Sequence, residues 1–141
     1  MTEQRPTEAL LPLMQAAFAA GGVFRLWPSG RSMLPLLREG VDSVLLAPPD
    51  SYGVGDVLLV RAEGGAFLLH RAIAITEAGV LLCGDALSLP EGPFPTEAVL
   101  ARVLTVYREE RAITANSRAF RAYERRAALR RRLSGWLHRR K

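Results

Sequence analysis

The feature that most constrains the fold is a series of short apolar segments, each ended by glycine or proline, in the middle of the chain. Six of them follow one another between residues 23 and 109, with the sequences VFRLWP, VDSVLLAPP, GDVLLVRA, AFLLHRAIAI, GVLLCGDA and AVLARVLTVYRE. Such segments are typical of strands, and the Gly64-Gly65 pair is a hairpin signal. A proline-rich loop, SLPEGPFP, is expected before the last of them. We therefore predict a mostly antiparallel β domain over residues 23–116.

An amphipathic helix is predicted before this domain, within residues 1–22. Thr7 can serve as its N-cap, and Gly21-Gly22 would end it. The helical spacing places five apolar residues on one face, namely Leu10, Leu13, Met14, Ala17 and Phe18.

A basic arm is predicted after the domain, over residues 117–141. Ten lysines and arginines and a single acid lie between Arg118 and the end, so the rest of the chain is mildly acidic although the total charge is +5. This arm is expected to be helical and to meet an acidic partner or a membrane surface, with nucleic acid ranked lower. Its apolar residues keep a helical period: Leu129, Leu133, Trp136 and Leu137.

Length and composition exclude several classes of protein. A chain of 141 residues fits one domain with a real core. The single cysteine, Cys83, excludes an internal disulfide. We see no export signal and no apolar run of the roughly 20 residues that a spanning helix needs, so we expect a cytoplasmic protein. No metal-ligand spacing, phosphate loop or dinucleotide fingerprint is present, so we expect no metal and no cofactor.

Ser32 is the first candidate for chemistry. It lies in Gly30-Arg31-Ser32-Met33-Leu34-Pro35, after a predicted strand. Gly30 allows a sharp bend and Pro35 restricts Leu34 to extended conformations. Such a turn can hold a hydroxyl outward and direct backbone N–H groups at an oxyanion. The alternative is an ordinary loop serine that caps its own turn.

A serine nucleophile needs a base, and the composition narrows the choice. Of 19 basic residues 18 are arginines, which stay protonated, and the only lysine is Lys141. His138 lies in the basic arm and is expected to be solvated. His70 lies in a predicted strand, on a face with small residues, where a partner or substrate has room. The alternative for His70 is a half-buried histidine bound to backbone.

Further residues compete for the remaining roles. Asp85, after Gly84, could orient His70 and stabilise its protonated form. Asp56 stands in a second Gly-Asp pair, and such pairs are mostly turn signals. Cys83 is an alternative nucleophile, although a free cysteine is usually a small buried hydrophobe.

Taken in order, these segments resemble the serine peptidase superfamily of type I signal peptidases and LexA-type self-cleaving repressors. The resemblance covers roughly Val23 to Tyr107 and depends on GRSMLP, GDVLLV, LLHRAIAI, CGD and ARVLTV. It implies that Ser32 is the nucleophile and His70 the base, as in the endoplasmic-reticulum and archaeal type. It maps Asp85 onto the third catalytic position.

The resemblance further implies a fold of coiled antiparallel sheets and a substrate bound as an extended strand, cleaved next to small side chains. It suggests Ser29 and Arg31, with the N–H of Ser32, as oxyanion-binding groups and Met33 as a wall of the substrate pocket. We expect a variant without the membrane anchor of the family.

The sequence therefore predicts a serine endopeptidase acting on a peptide or protein. The chief alternative is an inactive module of the same fold that binds an extended peptide or a partner protein. A third interpretation makes the basic arm the main feature, as a binder of nucleic acid or of a membrane surface.

Overall fold

The computed structural model describes residues 7–109 and 111–139. Within them an N-terminal helix precedes eight strands, and a long helix follows the last strand. In chain order the elements are α1 (Thr7–Ala19), β1 (Phe24–Leu26), β2 (Ser43–Ala47), β3 (Val57–Arg61), β4 (Phe67–Thr76), β5 (Gly79–Cys83), β6 (Glu91–Phe94), β7 (Val99–Arg108), β8 (Arg111–Thr114) and α2 (Arg118–Arg139).

The strands form one antiparallel sheet in the order β1-β2-β7-β3-β4-β5-β6, with β8 paired to β7. The long strand β7 lies between β2 and β3 and pairs with both. It therefore connects the β1–β2 pair to the β3–β4–β5 meander within the sheet. The predicted mostly β architecture with a helix at each end is confirmed.

Two strands were not predicted from the sequence. β6 lies inside the segment interpreted as a proline-rich loop, and Pro93 is tolerated there because β6 is an edge strand that pairs only with β5. β8 has one buried residue, Ile113, between exposed neighbours, so it carries almost no hydrophobic pattern. Both strands owe their existence to tertiary pairing rather than to local sequence.

Helix α1 ends as predicted. Gly21 has a φ of 82°, and the N–H of Gly22 donates to the carbonyl of Ala17 at 2.9 Å, which completes a Schellman motif. The predicted apolar face is wrong at one position. Leu13 is 56% exposed, whereas Leu11 packs against the core with Met14.

Two apolar clusters hold the sheet together. The first joins Met14 of α1 and Phe120 of α2 to the residues of β1, β2 and β7, and Met33 belongs to it. The second is formed mainly by β3, β4 and β5 and contains Leu58 and Leu82. The turn that carries Ser32 is therefore anchored in the core by its neighbour Met33, which is 4% exposed.

Helix α2 begins with a side-chain cap. The Ser117 hydroxyl accepts a hydrogen bond from the N–H of Phe120 at 3.1 Å and donates one to the carbonyl of Thr114 at 2.7 Å. No helix in the described ranges is both long enough and apolar enough to cross a bilayer.

Candidate active site

Ser32 lies in a tight turn between β1 and β2. The turn starts at Gly30, whose φ of 89° a side chain would strain, and continues with a hydrogen bond from the N–H of Leu34 to the carbonyl of Arg31 at 3.2 Å. Because the Met33 side chain is buried in the core, its neighbour Ser32 is left half-buried at the edge of a cleft. The turn thus fixes the direction of a serine hydroxyl.

His70 faces that hydroxyl from β4, 38 residues further along the chain. Its Nε2 lies 3.0 Å from the Oγ of Ser32, and the histidine itself is only 4% exposed. β4 holds His70 in register opposite Leu58 of β3, so the backbone position of the imidazole is fixed by the sheet. This is the separation expected between a nucleophile and its general base.

The environment of His70 favours the neutral imidazole. Burial lowers its pKa below the ordinary value of 6.5, and the negative charges of Glu91 and Asp85 oppose this shift without cancelling it. At neutral pH the ring therefore carries one proton. A neutral ring protonated at Nδ1 can accept the Ser32 proton at Nε2.

Glu91, at the start of β6, is the carboxylate next to the second ring nitrogen. Its Oε1 lies 3.3 Å from the Nδ1 of His70, and its side chain is 45% exposed. Nδ1 itself is buried and makes no well-aligned hydrogen bond in the described part of the chain. The carboxylate beside Nδ1 favours a proton on that nitrogen, and it would form an ion pair with the ring when the ring is doubly protonated. Glu91 was not predicted from the sequence, because its segment has the composition of a proline-rich loop.

Asp85 is held differently from the orienting role predicted for it. Its two carboxylate oxygens accept hydrogen bonds from Nε and Nη2 of Arg71 at 2.8 and 2.7 Å, and both side chains are fully buried. Arg71 also donates to the carbonyl of Gly55 at 2.8 Å. No hydrogen bond joins Asp85 to His70 among the described residues.

The loop that carries Asp85 also holds the serine turn. The N–H of Ala86 donates to the carbonyl of Ser32 at 2.8 Å, and the N–H of Asp85 points at the sulfur of Met33 at 3.4 Å. Gly84 packs so closely that a Cβ there would stand 2.6 Å from the Ser32 carbonyl oxygen. The Gly84-Asp85 segment therefore positions Ser32. Arg71 links this segment to β4, the strand that carries His70.

A cleft opens in front of the Ser32–His70 pair, with a cavity volume of about 90 Å³. Residues 28–30 form one wall, residues 67–70 form the other, and Met33 and Leu37 contribute apolar surface. Ser29 lines this cleft, whereas Arg31 is exposed and does not line it. The Glu39 carboxylate also reaches the cleft and accepts the N–H of Gly30 at 2.7 Å.

One edge of the cleft is a strand with free backbone groups. Residues 67–70 pair with β3 on one side, whereas β5 pairs with β4 only from Arg71 onward. In the described chain no strand covers the other side of residues 67–70. An extended peptide could add to this edge and pass the Ser32 hydroxyl.

The competing candidates lie in other environments. Burial raises the pKa of the Cys83 thiol, and its Sγ contacts backbone carbonyls, among them that of Gly84 at 3.5 Å, so it is a buried neutral thiol. Asp56 accepts the N–H of Gly53 at 2.9 Å, as a turn residue does. The His138 side chain and Lys141 lie outside the described part.

Comparisons with known proteins return nothing: no family model, curated protein or solved structure matches this chain. Within the described ranges no group of three or more His, Cys, Asp and Glu side chains could hold a metal ion.

Proposed function

We propose that this chain is a serine endopeptidase of the signal-peptidase type, with Ser32 as nucleophile and His70 as general base. The observation that carries the proposal is the 3.0 Å contact between Ser32 Oγ and His70 Nε2, made at the wall of a cleft by two residues 38 positions apart. A buried imidazole with a lowered pKa, aimed at a serine hydroxyl, is the arrangement that activates such a nucleophile.

In the proposed reaction a peptide binds as an added strand along residues 67–70. As Ser32 Oγ attacks the scissile carbonyl carbon, its proton passes to Nε2 of His70, and the imidazolium then donates that proton to the leaving amine. Water, deprotonated by the same nitrogen, hydrolyses the acyl-enzyme and restores the serine.

The developing oxyanion needs N–H donors directed into the cleft. The N–H of Ser32 makes no hydrogen bond within the described chain, so it is available for this role. Ser29 lines the same cleft, and its hydroxyl is proposed as a second donor. Since Arg31 is exposed and does not line the cleft, we give it no part in oxyanion binding, while Met33 shapes the pocket wall.

Glu91 is proposed as the positioning residue for His70. Its carboxylate, 3.3 Å from Nδ1, favours the tautomer in which Nε2 is the acceptor and stabilises the imidazolium that forms during attack. Asp85 contributes through its charge and through its ion pair with Arg71, which fixes the serine turn against β4.

The substrate is proposed to be an extended peptide with small side chains next to the cleaved bond. The cleft in front of Ser32 is small, with a volume of about 90 Å³, so large side chains fit it poorly. We propose that this antiparallel sheet, with its free edge at residues 67–70, is the coiled-sheet fold of signal peptidases and LexA-type repressors. The buried free thiol of Cys83 is compatible with a cytoplasmic location.

The test compares wild type with Ser32→Ala and His70→Ala on a complex peptide library, with new termini identified by mass spectrometry. Cuts next to small residues are expected only from wild type, and each variant should lose at least about a thousandfold in rate. Ser51→Ala, the same change in an exposed turn, is the matched control. Circular dichroism and thermal unfolding verify that all variants fold. Equal cleavage by wild type and Ser32→Ala would refute the proposal.

A binding module is the second candidate, favoured by one observation: the free strand edge at residues 67–70 can hold a peptide without any chemistry. Peptides retained equally by wild type and Ser32→Ala, with no new termini, would favour this function over catalysis.

A further inference from the structure

One face of α2 is packed against the body of the protein. Phe120 and Ala127 are buried, and the guanidinium of Arg71 stacks over the Phe120 ring at 4.8 Å from its centroid. Further along the helix, Arg130 donates to the carbonyl of Leu87 at 3.0 Å, in the loop that follows Cys83. The helix therefore has a defined orientation, and among residues 118–134 the face opposite Phe120 and Ala127 points to solvent.

The solvent face of α2 is itself amphipathic. Leu129 and Leu133 are 55% and 53% exposed and lie one turn apart. Both leucines are on the side of the helix away from the buried Ala127, and Leu129 is about 200° from it around the helix axis. The only acid among residues 118–134 is Glu124, whose carboxylate oxygens lie within 3 Å of where a Cβ on Gly55 would be, on the packed side. The exposed arginines of this helix are Arg118, Arg121, Arg125, Arg126, Arg130 and Arg132.

The arginines and leucines together distinguish between two kinds of acidic partner, a nucleic acid and an anionic membrane. A nucleic acid would use the arginines through its phosphates but would leave the leucines without a partner. The surface of an anionic bilayer satisfies both groups, because leucines enter the boundary between headgroups and acyl chains while arginines stay at the phosphates. Charge complementarity and the paired leucines therefore favour a lipid surface.

We propose that the solvent face of α2, defined by Leu129, Leu133 and the exposed arginines around them, docks on an anionic membrane surface with the helix lying in the interfacial plane. The Arg130–Leu87 hydrogen bond places the loop at residues 84–89 beside this helix, and Leu89 in that loop is 78% exposed. Docking would therefore hold the loop that contacts the carbonyl of Ser32 next to the lipid. The inference does not depend on catalysis at that cleft.

The test is co-sedimentation of the full chain with vesicles of phosphatidylcholine alone and of phosphatidylcholine mixed with phosphatidylglycerol. Wild type should bind only the anionic vesicles, and binding should weaken steeply with salt. The Leu129→Ser/Leu133→Ser variant keeps every charge and should bind at least about tenfold more weakly. Leu13→Ser is the matched control, since Leu13 is an equally exposed leucine on α1, and it should bind as wild type does.

A second variant and a second ligand distinguish this surface from simple charge attraction. Arg125→Gln/Arg126→Gln should weaken vesicle binding and flatten its salt dependence. Duplex DNA should compete poorly with vesicles, and its binding should not change in the double-leucine variant. Vesicle binding that is unchanged in the double-leucine variant, equal binding to neutral vesicles, or tighter binding to DNA than to vesicles would each overturn the proposal.

Discussion

The guanidinium of Arg71 donates two hydrogen bonds to the carboxylate of Asp85, at 2.8 and 2.7 Å, in an environment from which water is fully excluded. Arg71 directly follows His70 on β4, and Asp85 directly follows Gly84, which contacts Ser32. The ion pair therefore connects the strand of the proposed base to the loop that supports the proposed nucleophile. A buried, bidentate pair of this kind fixes geometry as much as it contributes stability.

Removing the acid of this pair should destabilise the protein strongly. In Asp85→Ala the Arg71 guanidinium would remain buried without its counter-charge, and we expect a loss of about 3–5 kcal/mol in the free energy of unfolding. Urea denaturation followed by circular dichroism measures it. The control is Asp50→Ala, an exposed aspartate whose removal should change stability by less than about 0.5 kcal/mol. An equally small effect at Asp85 would show that the pair does not hold the two segments together.

The pH profile tests the roles of His70 and Glu91 together. Cleavage requires neutral His70, whose pKa is lowered below 6.5 mainly by burial, so the midpoint of the acidic limb of kcat/KM should lie below pH 6.5. Glu91 raises this pKa by stabilising the imidazolium. Glu91→Gln should therefore move the acidic limb of the profile to lower pH and, because a half-exposed pair is screened by solvent, reduce kcat only about fivefold.

Glu97→Gln provides the comparison for this experiment, because Glu97 is an exposed glutamate that does not shift the pKa of His70. Its profile should coincide with that of wild type. An acidic limb that moves to higher pH in Glu91→Gln, or does not move, would exclude the positioning role of Glu91.

The base of the Ser32–His70 pair could be predicted from sequence because it had few competitors. Arginine cannot act as a base, a single lysine stands at the end of the chain, and only two histidines are present. The turn around Ser32 could also be predicted from sequence, since Gly30 and Pro35 constrain the backbone locally. Local chemistry made both residues candidates, and the resemblance to the serine peptidase superfamily assigned their roles.

Glu91 and the partner of Asp85 could not be predicted, for reasons of tertiary structure. Glu91 reaches His70 only because an edge strand forms within a proline-rich segment, and that strand depends on pairing with β5. Arg71 points away from His70 in the alternation of β4, to a side covered by Phe120 of α2. Nothing in the basic arm indicated that it would pack over this arginine, so its counter-ion could not be assigned.

Gly84 offers a test of the contact that positions the nucleophile. A Cβ there would lie 2.6 Å from the carbonyl oxygen of Ser32 and 3.1 Å from its Cβ, so Gly84→Ala must displace the serine turn. We expect kcat/KM to fall by about a hundredfold, as for a displacement on the order of 1 Å, and stability by about 1–3 kcal/mol. Gly53→Ala is the matched control, because nothing lies within 4 Å of its Cβ position. Full activity in Gly84→Ala would show that the close packing does not set the position of Ser32.

The start of α2 is part of the folded core. Removing the whole basic arm should therefore destabilise the protein, whereas removing only its later part should not. Phe120 is 2% exposed and lies under the Arg71 guanidinium, so Phe120→Ala should cost about 3–5 kcal/mol in the free energy of unfolding. Leu129→Ala on the solvent face of the same helix should cost less than about 0.5 kcal/mol.

The same difference in stability between the packed start of α2 and its later part should appear in truncated chains. A chain ending at Ser117 should unfold at lower denaturant concentration and lose cleavage of any substrate, whereas a chain ending at Ala128 keeps Phe120 and Ala127 and should still cleave short peptides. Equilibrium denaturation and a peptide assay on both truncations provide the measurement. If the chain ending at Ser117 were as stable as wild type, the packing of α2 against Arg71 would contribute nothing to the fold, and the basic arm would be an independent appendage.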